Sequence, residues 1–393
     1  MAVSQVQANN VVITWRKKIY REWRRANYFA PYMGEGPSNI IQIYRDLADG
    51  GDVLNVPLVG ALRGPGVSTG PLTGNEEPMD EYGMRIWVDW IRNAVLLTRA
   101  QMRKSAYEQL DEVRPLLSEW MQGLTRDEII LALGAIPSET PPANWGNEST
   151  AGQRVNGIIY DLATVAQKNA WHDANSDRLL YGSAISNFIS GNHAGSLANV
   201  DATADKASAK LLLLLKRRAR RTSPGITPYK DNEEQGREWF VVFCGANAFR
   251  DLAADPDIVA ANLYARPREN GGVEKNPLFQ DGDLLYRGMI IREIPEMDDM
   301  LTIPNGGAGG AVDVAPIFMC GRNAVALAWG QMPRPTERKE DDYSFLIGRG
   351  IEAVYGVGKV FKRQPGLSTT PASPGGLKQW GVAQAYVASV QDV

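Results

Sequence analysis

His172 and His193 are the chain's whole supply of imidazole, and Cys244 and Cys320 its whole supply of thiol. A zinc site needs several such ligands, and a nucleophilic triad needs a histidine held between a nucleophile and an acid. The two histidines lie 21 residues apart in polar, loop-like surroundings and read as surface or interface side chains. The cysteines sit in apolar, strand-like runs and read as buried free thiols; a pair is too few for a disulfide framework. "DANSD", residues 173–177, begins like a calcium loop. It then has Arg178 where the sharp turn needs glycine and Ala184 where the bidentate glutamate belongs, so it reads as a polar loop. "GRGIEA", residues 348–353, fits the spacing of a dinucleotide fingerprint, but "IEAVYGVGKVFK" looks like strand rather than the helix that must follow. The acidic pairs Asp298-Asp299 and Glu76-Glu77 have no partners at catalytic spacing and read as surface. These residues supply no persuasive active site, metal site or cofactor site.

Charge is the other chemistry on offer. The net charge is only −3, yet it is unevenly spread. Residues 15–25 carry six basic groups against Glu22, and residues 206–221 carry seven against none, so the remainder is acidic. One basic face and one acidic face are expected. "KRRARR" comprises Lys216, Arg217, Arg218, Arg220 and Arg221 with one alanine. It suits either sequence-neutral contact with phosphates or a solvated helix end. The aromatics of residues 15–32 are read as packing against a neighbour in preference to a stacking platform for bases.

The elements that must carry these groups follow from periodicity. Trp15, Ile19 and Trp23 make one apolar face of a basic N-terminal helix, which "YFAPY" then breaks. Leu54, Val56 and Leu58 alternate in one arm of a long hairpin, where Pro57 argues for an edge. Met84, Ile86, Val88 and Trp90 alternate in the other arm, and a Gly- and Pro-rich tip joins the two. Such an exposed hairpin is sensible if a neighbouring subunit covers it. Met102, Ala106, Leu110, Val113, Leu117 and Trp120 predict a helix over 99–122, kinked at Pro115 and ended by Gly123. Thr125 to Glu128 looks like a capping box for a short helix closing at Gly134. Further helices are expected at about 155–171 and 202–222, and one at "NAFRDLAADPDIVAANLY". From residue 238 the pattern turns to strands: "EWFVVFCG", "LLYRGMIIREI" after a turn at 281–283, "VAPIFMCG", "GIEAVYGVGKVFKR" and "GVAQAYVASV". The 393 residues point to two or three subdomains, and no apolar run nears the ~20 residues of a membrane span.

The order of these elements resembles the major capsid proteins of tailed bacteriophages, in the branch of several podovirus-like phages. "NVPLVGALRGPGVSTGPLTGNEE" resembles that branch's extended loop, with its Gly-rich tip and acidic pair. "EWFVVFCGANAFRDLAADP" resembles the strand and helix of the central domain. "NPLFQDGDLLYRGMIIREIPEM" followed by "APIFMCGRNAVALAWG" resembles the paired strands that come next. The resemblance spans about residues 50–360.

It implies the α+β fold shared by tailed-phage and herpesvirus shells. The N-terminal arm would be residues 1–50, the extended β-hairpin loop 51–98, and the peripheral domain with its spine helix 99–194. Residues 195–330 would be mainly the axial domain, and 331–393 the return to the peripheral domain with C-terminal strands. The implied function is a non-enzymatic major head protein. It would self-assemble as pentamers and hexamers into the icosahedral shell of a virion around double-stranded DNA. Synthesis in the host cytoplasm, a separate scaffolding protein, a portal and decoration proteins go with it, and no membrane. Arg63, Glu76, Glu77, Trp87 and Trp90 would make intersubunit contacts, and Lys216 to Arg221 would face DNA. A bacterial nanocompartment shell of the same fold and a cytoplasmic α/β enzyme are the competing readings. The enzyme would need residues 348–353 at a strand-to-helix turn.

Overall fold

In chain order the strands begin with β1 (Met33–Gly34), β2 (Ile41–Tyr44), β3 (Val53–Val59), β4 (Glu81–Trp87) and β5 (Asp89–Thr98). Helices α1 (Arg99–Lys104) and α2 (Gln109–Gly134), β6 (Val155–Asn156), α3 (Val165–Ala174), β7 (Leu179–Tyr181), α4 (His193–Leu197) and α5 (Ala209–Arg221) follow. Next come β8 (Tyr229–Lys230), β9 (Glu238–Cys244), α6 (Ala246–Ala254), α7 (Pro256–Tyr264), β10 (Leu284–Tyr286), β11 (Met289–Glu293) and α8 (Glu296–Leu301). The chain ends with β12 (Val314–Cys320), β13 (Val325–Asp341), β14 (Leu346–Lys359), β15 (Phe361–Arg363), β16 (Leu377–Gln379) and β17 (Val382–Ala388). This computed structural model describes residues 27–230, 238–264 and 284–391, apart from gaps at 49, 61, 63, 78, 80, 106–108, 143–144, 147–153, 342, 344 and 365. The helical face of Trp15, Ile19 and Trp23, the turn at 281–283 and Arg63 lie outside the described residues.

The described residues divide into two compact units, one built of residues 91–124 and 333–353, the other of residues 28–90, 125–332 and those after 353. In the larger unit a seven-stranded mixed sheet runs β10-β11-β9-β12-β17-β7, with β8 on β9. Its strands are apolar on both sides because both faces are covered. Phe240, Val242, Ile291, Ile317 and Ala385 pack with Leu211, Leu212 and Leu215 of α5 in one cluster. Trp171, Leu179, Tyr181, Val314 and Tyr386 form another. Phe243 takes Phe29 and Tyr32 edge-on, at ring distances of 5.0 and 5.7 Å, so these two aromatics of "YFAPY" pack within the chain. A third cluster lies under the β3–β4 ribbon, where Leu54, Val56, Leu58, Met84 and Ile86 meet Ala326, Ala328 and Phe361. Strand β3 is buried and exposed in strict alternation, as its residue pattern requires. In the smaller unit, β5 and the adjoining stretches of β13 and β14 form a ribbon beside α1 and the start of α2.

Several expectations need correction. "LLYRGMIIREI" is two strands, because Arg287 (φ 43°) and Gly288 (φ 74°) make a two-residue turn that pairs Tyr286 with Met289. The second hairpin arm also ends early: β4 pairs with β3 only to Trp87, and β5 then joins β14. The predicted 99–122 helix is broken at Ser105 rather than at Pro115, and α2 runs through Gly123 to Gly134. Pro115 removes the N–H that would meet the Asp111 carbonyl. Arg349 reaches that same turn, donating to the Leu110 carbonyl (2.8 Å) and approaching the Asp111 carboxylate (3.4 Å). Thr125 and Glu128 are therefore mid-helix and buried, and Glu128 holds Arg154 through Nε (2.8 Å) and Nη2 (2.5 Å). The helix expected at 155–171 is confined to α3, whose start is set by a capping box of Thr164 and Gln167. The single helix expected after β9 is two, α6 and α7, with Pro256 opening the second.

Candidate functional site

The basic cluster sits on α5. Ser208 caps the helix by accepting from the Leu211 N–H, and five successive leucines carry its apolar face into the core. The cations lie at the C-terminal end, where the helix dipole favours them. They are not one patch. Lys216 donates to the Arg287 carbonyl, and Arg218 donates to the carbonyls of Leu179 (3.0 Å) and Ser176 (2.5 Å). Burial lowers the proton affinity of both, with the Arg220 charge adding to the effect on Lys216. These two tie α5 to a turn and to the start of β7. Arg217, Arg220 and Arg221 are exposed, and Arg220 lies 5.9 Å from the Phe240 ring centre. Of the five cations from Lys216 to Arg221, these three present charge outward.

The hairpin tip is the second candidate. Leu62, Leu72 and Met79 are exposed there, Leu72 at 65 %. Glu76 accepts from the Gly74 N–H (2.7 Å) and Glu77 from the Gly64 N–H (2.6 Å), so the acidic pair folds the tip upon itself. Trp87 is corrected as a contact residue: it is 7 % exposed, and its backbone N–H and C=O are both taken by the Asn156 amide at 2.9 Å. Trp90 is 54 % exposed and available to a partner.

The residues dismissed as chemistry occupy structural places. "GRGIEA" lies inside β14, and a side chain at Gly350 would come within 3.0 Å of the Asn93 carbonyl, so the glycine serves close strand packing. In "DANSD", Asp173 accepts from the Gly191 N–H (2.7 Å) and Asp177 pairs with Lys378 (2.6 Å). No group of three or more possible metal ligands occurs among the described residues. Asp298, expected at the surface, is half-buried and accepts from the Asn247 N–H (3.0 Å) at the start of α6. Cys244 and Cys320 are free and buried, and burial pushes the Cys320 thiol up to about 12.

Two features were missed. The histidines are buried, not superficial, and their rings stand 5.5 Å apart among aromatic side chains. Lys359 is fully buried at the end of β14, with its ammonium nitrogen 6.0 Å from the ring centres of Trp171 and Phe318 and no hydrogen-bond acceptor. Burial lowers its pKa to about 7. No spacing rule points to either, because each depends on elements distant in sequence.

The arrangement thus offers an outward arginine group and an apolar finger, and shows no convergent catalytic cluster among the described residues. Comparisons with known proteins agree with a structural role. The capsid asymmetric unit of cyanophage Pam1 is 33 % identical, covers the whole of both chains and superposes with a TM-score of 0.82. The capsid of Ralstonia phage GP4 is 17 % identical over the whole of both chains, with a TM-score of 0.69. The head of Helicobacter pylori bacteriophage KHP40 is 12 % identical over 98 % of this chain and 96 % of that one, with a TM-score of 0.63. No curated protein sequence matches. The phage capsid protein family matches residues 4–375, nearly the full length, and with the Pam1 likeness this makes the chain a member of that family and a capsid protein of a phage head shell.

Proposed function

We propose that this major capsid protein assembles as pentamers and hexamers into a closed icosahedral shell around double-stranded DNA, and that the β3–β4 ribbon is its principal handhold on neighbouring copies. The observation that carries this is the ribbon's asymmetry. One face is packed on its own core, while the tip holds Leu62, Leu72 and Met79 in solvent. Exposed apolar tips of this kind gain burial only from another chain. Identical chains repeating one contact build rings, and rings close into shells. Trp90 joins the contact surface. Residues 51–98 serve as the extended loop, with residues 99–194 and 331–393 peripheral and 195–330 mainly axial. Arg217, Arg220 and Arg221 face the packaged DNA and soften its repulsion without reading sequence. A separate scaffolding protein, a portal, decoration proteins and synthesis in the host cytoplasm complete the reading, on family likeness alone.

The test replaces residues 61–79 with a two-residue Asn-Gly turn, which keeps the antiparallel register of Val59 with Glu81. Folded monomers or capsomers that form no closed shells by electron microscopy are expected. Normal shells from this variant overturn the role given to the tip.

A further inference from the structure

The buried histidines form a hydrogen-bond chain whose direction can be worked out from its fixed end. His172 Nε2 lies 2.9 Å from the Ile189 carbonyl, which can only accept, so Nε2 carries the proton. His172 Nδ1 is then an acceptor, and the Tyr181 hydroxyl, 2.7 Å away, donates to it. That hydroxyl has one hydrogen, so it must accept from His193 Nδ1, also at 2.7 Å. His193 Nε2 is left as an acceptor for the Tyr160 hydroxyl at 2.7 Å. Every donor and acceptor is used, with Nε2–H on one imidazole and Nδ1–H on the other.

We infer that this chain is an acid-released pin, which holds the segment between β7 and residue 198, including α4, against α3 and β7 while both imidazoles are neutral. Beside it, Asp173 holds Ser190 and Gly191, the Asn169 amide oxygen accepts from the His193 N–H, and the Asn187 amide donates to the Tyr181 carbonyl of β7 (2.9 Å), while Ser196 bonds Ile189 within the segment. A proton added at His172 Nδ1 faces the Tyr181 O–H head-on. Turning that hydroxyl away strands its hydrogen among packed rings: Tyr386 stacks on Tyr181 at 5.2 Å, and Phe188 stacks on His172 at 4.0 Å. A proton added at His193 Nε2 is easier to place, because Tyr160 lines a pocket of about 410 Å³ and its hydroxyl can turn there. That charge then stands 5.5 Å from the other imidazole.

The surrounding charges do not rescue it. Lys168 lies over the Tyr160 ring at 4.2 Å and repels a charged His193. Lys359 lies behind Trp171, whose ring meets His193 edge-on. Asp161 acts on Tyr160 and Lys168, and Asp173, engaged by Gly191 and Ser190, favours a charged His172 by less than burial opposes it. No carboxylate is hydrogen-bonded to either ring among the described residues. Burial lowers the proton affinity of both histidines, that of His193 to about 3. Folded values below the unfolded ~6.5 mean that stability is lost as pH falls from there toward the folded values.

The chain has only two histidines, so ¹⁵N-histidine labelling of the full-length protein yields two imidazole signatures and needs no substitution. Magic-angle-spinning spectra of assembled particles at pH 7 should show one Nε2–H and one Nδ1–H tautomer, the Nδ1–H ring of His193 still neutral at pH 5. Two like tautomers, or a charged His193 at pH 5, would overturn the chain. Hydrogen exchange between pH 7 and pH 4, corrected for intrinsic rates, should rise at least tenfold at the amides of residues 185–198. Unchanged protection there would overturn the release. His193→Gln, neutral throughout, should reduce that rise; a full rise in this variant when folded would also overturn it.

Discussion

At the scale of single residues, burial decides what the charged groups can do. Lys359 has no acceptor and lies between two rings, so its ammonium is desolvated without repayment. Its folded pKa of about 7 is below the ordinary lysine value, which fixes a sign. Between about pH 7 and 10.5 the unfolded chain binds the proton and the folded chain does not, so stability rises with pH. Below about pH 7 both states are protonated and the full cost stands. Lys359→Met should therefore raise stability by a few kcal/mol at pH 6, with the gain shrinking toward pH 10. Urea unfolding at those two pH values checks it; a gain independent of pH would show that Lys359 is not the buried cation described. Glu128 presents the opposite case, a buried acid with its partner in place at 2.5 Å. Nothing in the sequence distinguishes these two residues. Glu128 sits in what looks like a capping box, and Lys359 in what looks like the polar end of a strand. Their roles come from Arg154 and Trp171, which the fold brings from elsewhere.

At the scale of elements, alternation was the readable signal and turns were not. Strand β3 lies where its alternation puts it, because one apolar face must find the core, and the leucine-rich helix expected at 202–222 forms over Ala209–Arg221. The turn at Arg287-Gly288 escaped because arginine is a poor marker of positive φ, so an eleven-residue apolar run looked unbroken. Helix α2 escaped because Pro115 and Gly123 are local stop signals, overridden by contacts from Arg349 and Arg154 that no local window contains. The outward charge of α5 was legible, but its division was not, since that depends on which carbonyls lie within reach. The division is testable. Gln at Arg217, Arg220 and Arg221 together should leave stability within about 0.5 kcal/mol and shells intact, while genome retention falls. Arg218→Ala should cost about 1–3 kcal/mol, because two carbonyls lose a charged donor. Thermal unfolding and assay of packaged DNA separate the two outcomes. Unchanged packaging in the triple variant would make the helix end a solvated face.

At the scale of the whole molecule, the uneven distribution of core is the property that matters for a shell. The three apolar clusters described above all lie in the larger unit. The smaller unit buries Val113, Leu117 and Met121 but leaves Leu96, Leu116 and Phe345 exposed. Two of its ion pairs, Arg114 with Glu337 (2.9 Å) and Arg92 with Glu352 (3.7 Å), include an exposed arginine and contribute at most about 1 kcal/mol each. An element set with so little interior should open locally far more often than the seven-stranded sheet. Assembly would supply the missing burial, so the smaller unit should order fully only in the shell. Hydrogen exchange of unassembled subunits should show fast exchange over residues 91–105 and 345–353 and slow exchange in β9, β12 and β17. On assembly the first group should slow by at least tenfold while the sheet changes little. Equal protection of both units before assembly would mean that the smaller unit is stable alone, and its exposed apolar residues would then need another explanation.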